Sequence, residues 1–301
     1  MEFYKKYSWF LVIFVFLVIL AGGVVRMTQS GMGCPDWPTC FGMLIPPTSA
    51  DQLPADFEKY LSKQDIDHSF NVYHTWIEYI NRLLGAILGL IILFYVYLSF
   101  KRFWKVDKVI PYISIALLFA VMFEGWLGKV VVDDNLAVTK VTLHMLGALV
   151  IGILPLYNLA RISKSYISVS STIKHITTIV IILLLIQIVL GTQVREEIDL
   201  ISKQLNYEQR ELWISKLGSE FIIHRTFSWL VLIGTLFLFL KRTKFNGYSY
   251  YITTSIVLVV VVILLGVIMA YLGMPAISQP LHLLIASILL VQLVYSRIVM
   301  N

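Results

Sequence analysis

The sequence predicts an all-α integral membrane protein whose eight transmembrane helices form two pseudo-symmetric four-helix bundles. The composition is one reason, because 58% of the 301 residues are hydrophobic and only 14% are charged, whereas a soluble domain is roughly 45–50% apolar. A second reason is the number of apolar runs that reach the roughly 20 residues needed to cross the hydrocarbon. These runs lie at about 8–26, 75–100, 110–131, 138–160, 174–194, 219–240, 250–272 and 279–299.

An internal repeat is the third reason, since polar residues recur at corresponding helix starts and ends in the two halves. Each half holds an even number of spans, so both halves cross the membrane in the same direction. The predicted division gives a first half at 1–165, which contains an outer loop at 27–73, and a second half at 166–301. The matched positions are Arg26 with Arg195, Asn81 with His224, Arg82 with Arg225, His144 with His282 and, more weakly, Gly128 with Gly273.

Lysine and arginine are concentrated in the loops on one side, which the positive-inside rule assigns to the cytoplasm. Both termini fall on that side, and only Glu2 and Asp107 of the 18 acidic residues lie there. The first run lacks a small-residue cleavage site, and an Arg-rich transit segment is absent, so we expect a retained helix in a bacterial plasma membrane. No basic stretch interleaved with aromatic residues suggests a nucleic-acid partner. The basic loop residues are Lys5, Lys6, Lys101, Arg102, Lys105, Lys108, Arg161, Lys164, Lys174, Lys241, Arg242, Lys244 and Arg297.

Ionisable side chains gather, under this topology, in the outer third of the membrane, where their energetic cost indicates function. His224 and His282 come from neighbouring helices at one depth, which suits two axial imidazole ligands of a haem iron. Arg225 and Arg195 are expected to pair with the haem propionates, because a guanidinium binds a carboxylate through two parallel hydrogen bonds.

The first half offers only one imidazole at the matched depth, His144, because Asn81 stands where the second half has His224. An amide is a poor ligand for iron, so a haem in this half would be held through one histidine. Arg82 is expected to meet a propionate. For Glu78 we favour a chemical role, relaying protons or stabilising a cationic intermediate, over a salt bridge to Arg82 alone.

Other polar residues carry weaker predictions. For Glu124, an ion pair with Lys129 and a functional role are both open. His74 precedes Asn81 by about two helical turns, and a role at the mouth of the site is its less favoured interpretation. His68 is expected to be solvated and His175 to lie on the surface, away from the cluster.

The two cysteines, Cys34 and Cys40, stand in the first outer loop with five residues between them. The outer face of the membrane is oxidising, so a small disulfide ring is permitted there. A structural staple and a dithiol that cycles during the reaction are both open.

Taken in order, these residues resemble the landmarks of the haem A synthases, specifically the cysteine-containing bacterial type. The resemblance covers nearly the whole chain. It implies an eight-helix membrane oxidoreductase in which His224 and His282 hold haem b, while the N-terminal bundle receives haem O. The residues that carry it are GGVVRMTQSGMGCPDWPTCFG at 22–42, the E-x-x-[HN]-R-x-x-G pattern from Glu78, then His144, His224 with Arg225, and His282.

The resemblance also implies an activity, the oxidation of the C8 methyl of haem O through a hydroxymethyl to the formyl of haem A, for cytochrome oxidase. Glu78 is then the catalytic carboxylate near that methyl. Cys34 and Cys40 form a disulfide linked to the transfer of reducing equivalents. Haem O synthase and cytochrome oxidase assembly factors are candidate partners, while a homo-oligomer and the electron donor are left open.

One position departs from the family pattern, which usually has histidine where this chain has Asn81. We therefore expect His144 alone to bind the substrate iron, with Asn81 offering a hydrogen bond to a water or oxygen opposite. Two alternatives are a b-type electron-transfer cytochrome linked to quinol and a catalytically altered paralogue. A repeat-built transporter would need polar groups near the membrane midplane, and a disulfide-exchange enzyme would leave the histidines unexplained.

Overall fold

The computed structural model describes residues 1–61, 70–242 and 248–301, and its long elements are all helices. Within these ranges, eight helices are long and apolar enough to cross a membrane, which confirms the predicted all-α multi-pass class. His68 and Lys244 lie outside the described residues. The long helices are α1 (Glu2–Met27), α3 (Val72–Phe103), α4 (Val109–Asp133), α5 (Val138–Ser163), α6 (Ser171–Gln204), α8 (Ser219–Leu240), α9 (Tyr248–Tyr271) and α10 (Ser278–Ile298); the short ones are α2 (Glu58–Leu61) and α7 (Arg210–Trp213).

Helix α6 continues about ten residues beyond the predicted end of its apolar run, to Gln204. The added turns are amphipathic, and they bury Ile198 and Ile201 against Trp213 of α7 and Met274. Burial of one apolar stripe is sufficient to keep these turns helical. Hydropathy predicted too early an end for this helix, because the face opposite the buried stripe is charged in its last turns.

The chain divides into two compact units, Met1–Pro155 and Leu156–Asn301, and the division falls inside α5. In the first unit α3 packs against both α1 and α4. Tyr4 of α1 joins the three helices, because its ring stacks on Tyr95 at 4.7 Å between centroids and its hydroxyl lies 3.4 Å from that of Ser114.

The second unit is a ring of four helices. Helix α8 packs against α6 and α9, and α10 packs against α9 and α6. A half-buried amide links two of them, since Nε2 of Gln292 donates to the Tyr251 carbonyl at 2.9 Å. This closed arrangement gives facing helices whose inward side chains can share one site.

Candidate functional site

The cysteine loop lies directly on the first turns of α3. Cys34 and Cys40 form a disulfide, as predicted, and both are buried. A Cβ on Gly33 would lie 2.4 Å from the carbonyl oxygen of His74, so only glycine allows the loop this close. The Thr75 hydroxyl donates to the Gly33 carbonyl at 2.9 Å. The loop is therefore docked on the helix that carries Glu78, Asn81 and Arg82.

Asp36 organises the loop from within. Its carboxylate accepts the backbone N–H groups of Phe41 at 2.6 Å and Gly42 at 2.9 Å, and also the Thr39 hydroxyl. These contacts turn the chain back on itself between the two cysteines. The carbonyls of the turn are left pointing towards α3.

Arg82 binds those carbonyls. One terminal nitrogen donates to the Asp36 and Thr39 carbonyls at 2.5 and 3.1 Å, and the other donates to the Cys34 carbonyl at 2.6 Å. Nε and the second nitrogen also donate to Glu78. A guanidinium has five N–H donors, and protein groups use all five of those of Arg82.

Glu78 is buried, and both of its carboxylate oxygens are occupied. Oε1 accepts from Nε of Arg82 at 3.1 Å, and Oε2 accepts the backbone N–H of Cys34 at 2.8 Å. The salt bridge that we weighed as an alternative for Glu78 is thus present. One of its atoms also touches the disulfide-bearing residue, a contact that spacing in the sequence could not reveal.

His144, the predicted substrate ligand, meets Glu124, for which the sequence left an ion pair with Lys129 and a functional role open. Nδ1 of His144 lies 2.6 Å from Oε2 of Glu124, which reaches across from α4 to α5. Lys129, the expected partner of Glu124, pairs instead with Asp133 one turn on. The ion pair of Glu124 with Lys129 was therefore the wrong interpretation.

Asn81 points towards α1. Its Oδ1 lies 4.0 Å from the position a Cβ on Gly22 would take. This oxygen is buried and accepts no hydrogen bond from any residue that the structure describes. A buried oxygen without a partner is costly unless a ligand or water supplies the donor.

In the second unit, His224 and His282 face each other with ring centroids 6.5 Å apart. Gln187 of α6 adjoins the first of them, with its Nε2 3.1 Å from Nδ1 and 3.0 Å from the backbone carbonyl of His224. Nδ1 of His282 is buried and lacks a partner in the described chain. The structure thus brings the predicted pair together.

Each candidate ligand position packs against a glycine of the neighbouring helix, a pattern that sequence analysis missed. The glycine matched to Gly128 is Gly266, and not Gly273 as the sequence suggested. Apolar helices contain many glycines, so sequence alone does not show which of them face a candidate ligand side chain on the next helix. Four glycines do so here. A Cβ would lie 4.0 Å from Asn81 Oδ1 at Gly22, and 3.6, 3.1 and 3.5 Å from Cε1 of His144, His224 and His282 at Gly128, Gly191 and Gly266.

The two arginines predicted to bind propionates lie near the histidine pair in sequence but differ in their contacts. Arg195 donates to Oε1 of Gln279 at 2.7 Å and pairs with Asp199 at 2.8 Å. Arg225 is exposed, with its guanidinium 5.6 Å from the Phe221 ring centre. His175, hydrogen-bonded to Ser171 on the first turn of α6, is exposed as expected.

Eight apolar helices and facing histidines within one bundle define a multi-pass membrane protein with a candidate metal centre. The chain belongs to the COX15-CtaA family of cytochrome oxidase assembly proteins, whose model matches residues 5–294.

Proteins named heme A synthase are among the similar sequences. One from Flavobacterium johnsoniae is 27% identical, covering 94% of each chain, and one from a Wolbachia species is 28% identical, covering 87% of this chain and 86% of the relative. One from Shewanella oneidensis is 29% identical over 60% of this chain. In that last match the chain spans about half of the relative, 53% of its length.

Replacing Arg82 with lysine should speed reduction of the Cys34–Cys40 disulfide. Lysine cannot reach three carbonyls at once, and each lost hydrogen bond is worth about 0.5–1.5 kcal/mol, so the exposed state of the loop should become at least about tenfold more populated. The measurement is thiol labelling after a pulse of water-soluble phosphine. Lys59→Ala, which removes an exposed cation of the same outer loop, is the control; equal rates in all three proteins would contradict the assignment.

Proposed function

We propose that the protein is a haem A synthase, which oxidises the C8 methyl of haem O to the formyl of haem A for cytochrome oxidase. Family membership over residues 5–294 supports this. So do relatives of that printed name matched over nearly their full length. One observation carries the proposal. In both halves the candidate ligand side chains pack against glycines of the adjoining helices, but only the second half has two histidines at these positions.

The second unit is suited to a resident haem b, with His224 and His282 as its ligands. Two imidazoles that would share one metal ion through bonds of about 2 Å could have ring centres up to roughly 6 Å apart. The observed 6.5 Å is close to that upper value. When bound, the haem iron supplies redox chemistry. Arg225 and Arg195 are the candidate partners of its propionates, because Arg225 adjoins His224 and Arg195 lies one helical turn after Gly191, which packs on the His224 ring.

The first unit is suited to haem O as substrate, with His144 as its single iron ligand. Asn81 occupies the place of the second histidine, and its unpartnered Oδ1 can accept a hydrogen bond from a water opposite His144. The difference between one histidine in the first unit and two in the second fits a substrate site and a cofactor site, respectively. The cofactor is held from both sides, whereas the substrate must enter and leave.

Glu78 is the proposed catalytic carboxylate, since it lies one helical turn from Asn81 on the same face of α3. Arg82 and the Cys34 N–H hold its two oxygens, so its position depends on the cysteine loop. We assign Arg82 the role of holding Glu78 and the loop together. A change in the Cys34–Cys40 bond would reach Glu78 through the Cys34 N–H and through Arg82, which also donates to the Cys34 carbonyl.

The loop charges support an inner membrane location with both termini in the cytoplasm. The cysteine loop and both sites then face the outer side of a bacterial plasma membrane. Haem O synthase and cytochrome oxidase assembly factors are the proposed partners on this chain's substrate and product sides.

The function is tested by extracting the pigment after expression with a source of haem O. We expect a formyl-bearing haem in addition to protohaem. Protohaem alone would identify the protein as a b-type electron-transfer cytochrome and overturn the proposal. Expression without the haem O source is the control, and it should give protohaem only.

Introducing the missing histidine, by Asn81→His, should convert bound haem O to a six-coordinate, low-spin complex. Gly22 leaves room for a ring there, as Gly191 does for His224. Electron paramagnetic resonance of the ferric complex, with the spectrum of the haem b form subtracted, measures the change. Asn81→Gln keeps an amide and should remain like the unaltered protein. A low-spin signal from two imidazoles in the unaltered protein would contradict single-histidine ligation.

A further inference from the structure

We propose that Glu124 is a positioning residue for His144, accepting a hydrogen bond from Nδ1 so that Nε2 is presented to the substrate iron. The inference rests on the proposed function, because it takes His144 as the haem O ligand. It concerns a buried carboxylate to which the preceding mechanism gives no role.

The contact between the two residues is short and exclusive. Oε2 of Glu124 lies 2.6 Å from Nδ1, at ion-pair distance but not aligned as a hydrogen bond. Across the described part of the chain, neither carboxylate oxygen of Glu124 accepts a hydrogen bond from another residue, so the His144 ring is the one charged or polar partner it approaches. Only 6% of Glu124 is exposed. A carboxylate in such a place is costly unless it is paired, and His144 is the group it meets.

Gly147 makes the contact sterically possible. A Cβ at this position would lie 1.7 Å from Oε1 and 2.6 Å from Cδ of Glu124. Any other residue would therefore displace the carboxylate. Gly147 lies one helical turn after His144 on α5, so the carboxylate passes over its backbone to reach the ring.

The repeat provides an internal comparison. The register that aligns His144 with His282 also aligns Gly128 with Gly266, and both of these glycines pack against the histidine rings. In the same register Glu124 corresponds to Val262 and Gly147 to Ile285. The second half thus keeps the histidine and its glycine but has neither the carboxylate nor the space for it.

This difference matches the different tasks of the two sites. A carboxylate that accepts the second N–H of an iron-bound imidazole fixes the ring and raises its basicity as a ligand. The haem held by two histidines has a second protein ligand to orient it. The haem held by His144 alone does not, and Glu124 supplies the orientation.

The test uses the full-length protein, purified with its haem b and titrated with haem O. Glu124→Ala should weaken haem O binding about 10–100-fold, the usual cost of losing such an outer hydrogen bond. It should also lower the iron–histidine stretching frequency of the ferrous complex in resonance Raman spectra. Glu124→Gln, which keeps an acceptor without the charge, should give a smaller shift. Gly147→Ala should act like Glu124→Ala, because it displaces the carboxylate.

Gly125→Ala, on the same helix as Glu124, is the matched control. Its Cβ would have no described residue within 4 Å, so it should leave haem O affinity and the stretching frequency unchanged. Retained haem b absorption shows that the second unit of each variant is intact. If Glu124→Ala does not accumulate, the Raman shift of Glu124→Gln tests the inference instead. Unchanged stretching and affinity in the Glu124 and Gly147 variants would overturn the inference. If those variants are unchanged but His144→Ala loses the iron–histidine stretching band, the inference about Glu124 fails and the proposed function stands. If His144→Ala binds haem O as the unaltered protein does, His144 is not the iron ligand and the proposed function fails at this site.

Discussion

Close packing of helices at four glycines is the constraint on which both sites depend. Each glycine faces a candidate ligand side chain from the adjoining helix of the same unit, at 3.1 to 4.0 Å from where a Cβ would stand. Longer side chains at these positions would take the space of the rings. The two halves therefore share one scaffold, and their chemistry differs through the few side chains that this scaffold presents.

The first unit adds a second layer of contacts to that scaffold, built around the cysteine loop. Arg82 gathers three loop carbonyls, and Glu78 accepts the Cys34 N–H. Charged groups within spanning helices are costly unless paired, and here the pairing partners come from backbone groups of the loop. Loop, carboxylate and guanidinium thus form one connected unit, in which the backbone of Cys34 contacts both Glu78 and Arg82.

Much of this arrangement was predictable from the sequence because hydropathy and the repeat act over whole helices. All eight spans were predicted, as was the meeting of His224 with His282 at one depth. Contacts that depend on the absence of a side chain at a glycine could not be predicted from hydropathy or from the repeat. For Glu124 the sequence left an ion pair with Lys129 and a functional role open, whereas the absent Cβ of Gly147 lets the carboxylate cross to His144. Likewise, the partners of Arg82 depend on the path of a loop that carries no periodic pattern.

In the proposed function the two halves divide the work, with His144 holding the haem that is changed and His224 with His282 holding the haem that is retained. This division is tested by comparing the pigments extracted from His144→Ala and from the unaltered protein, each expressed with a source of haem O. We expect protohaem in both proteins and a formyl-bearing haem only in the unaltered one. A formyl-bearing haem in His144→Ala at the level of the unaltered protein would contradict this division.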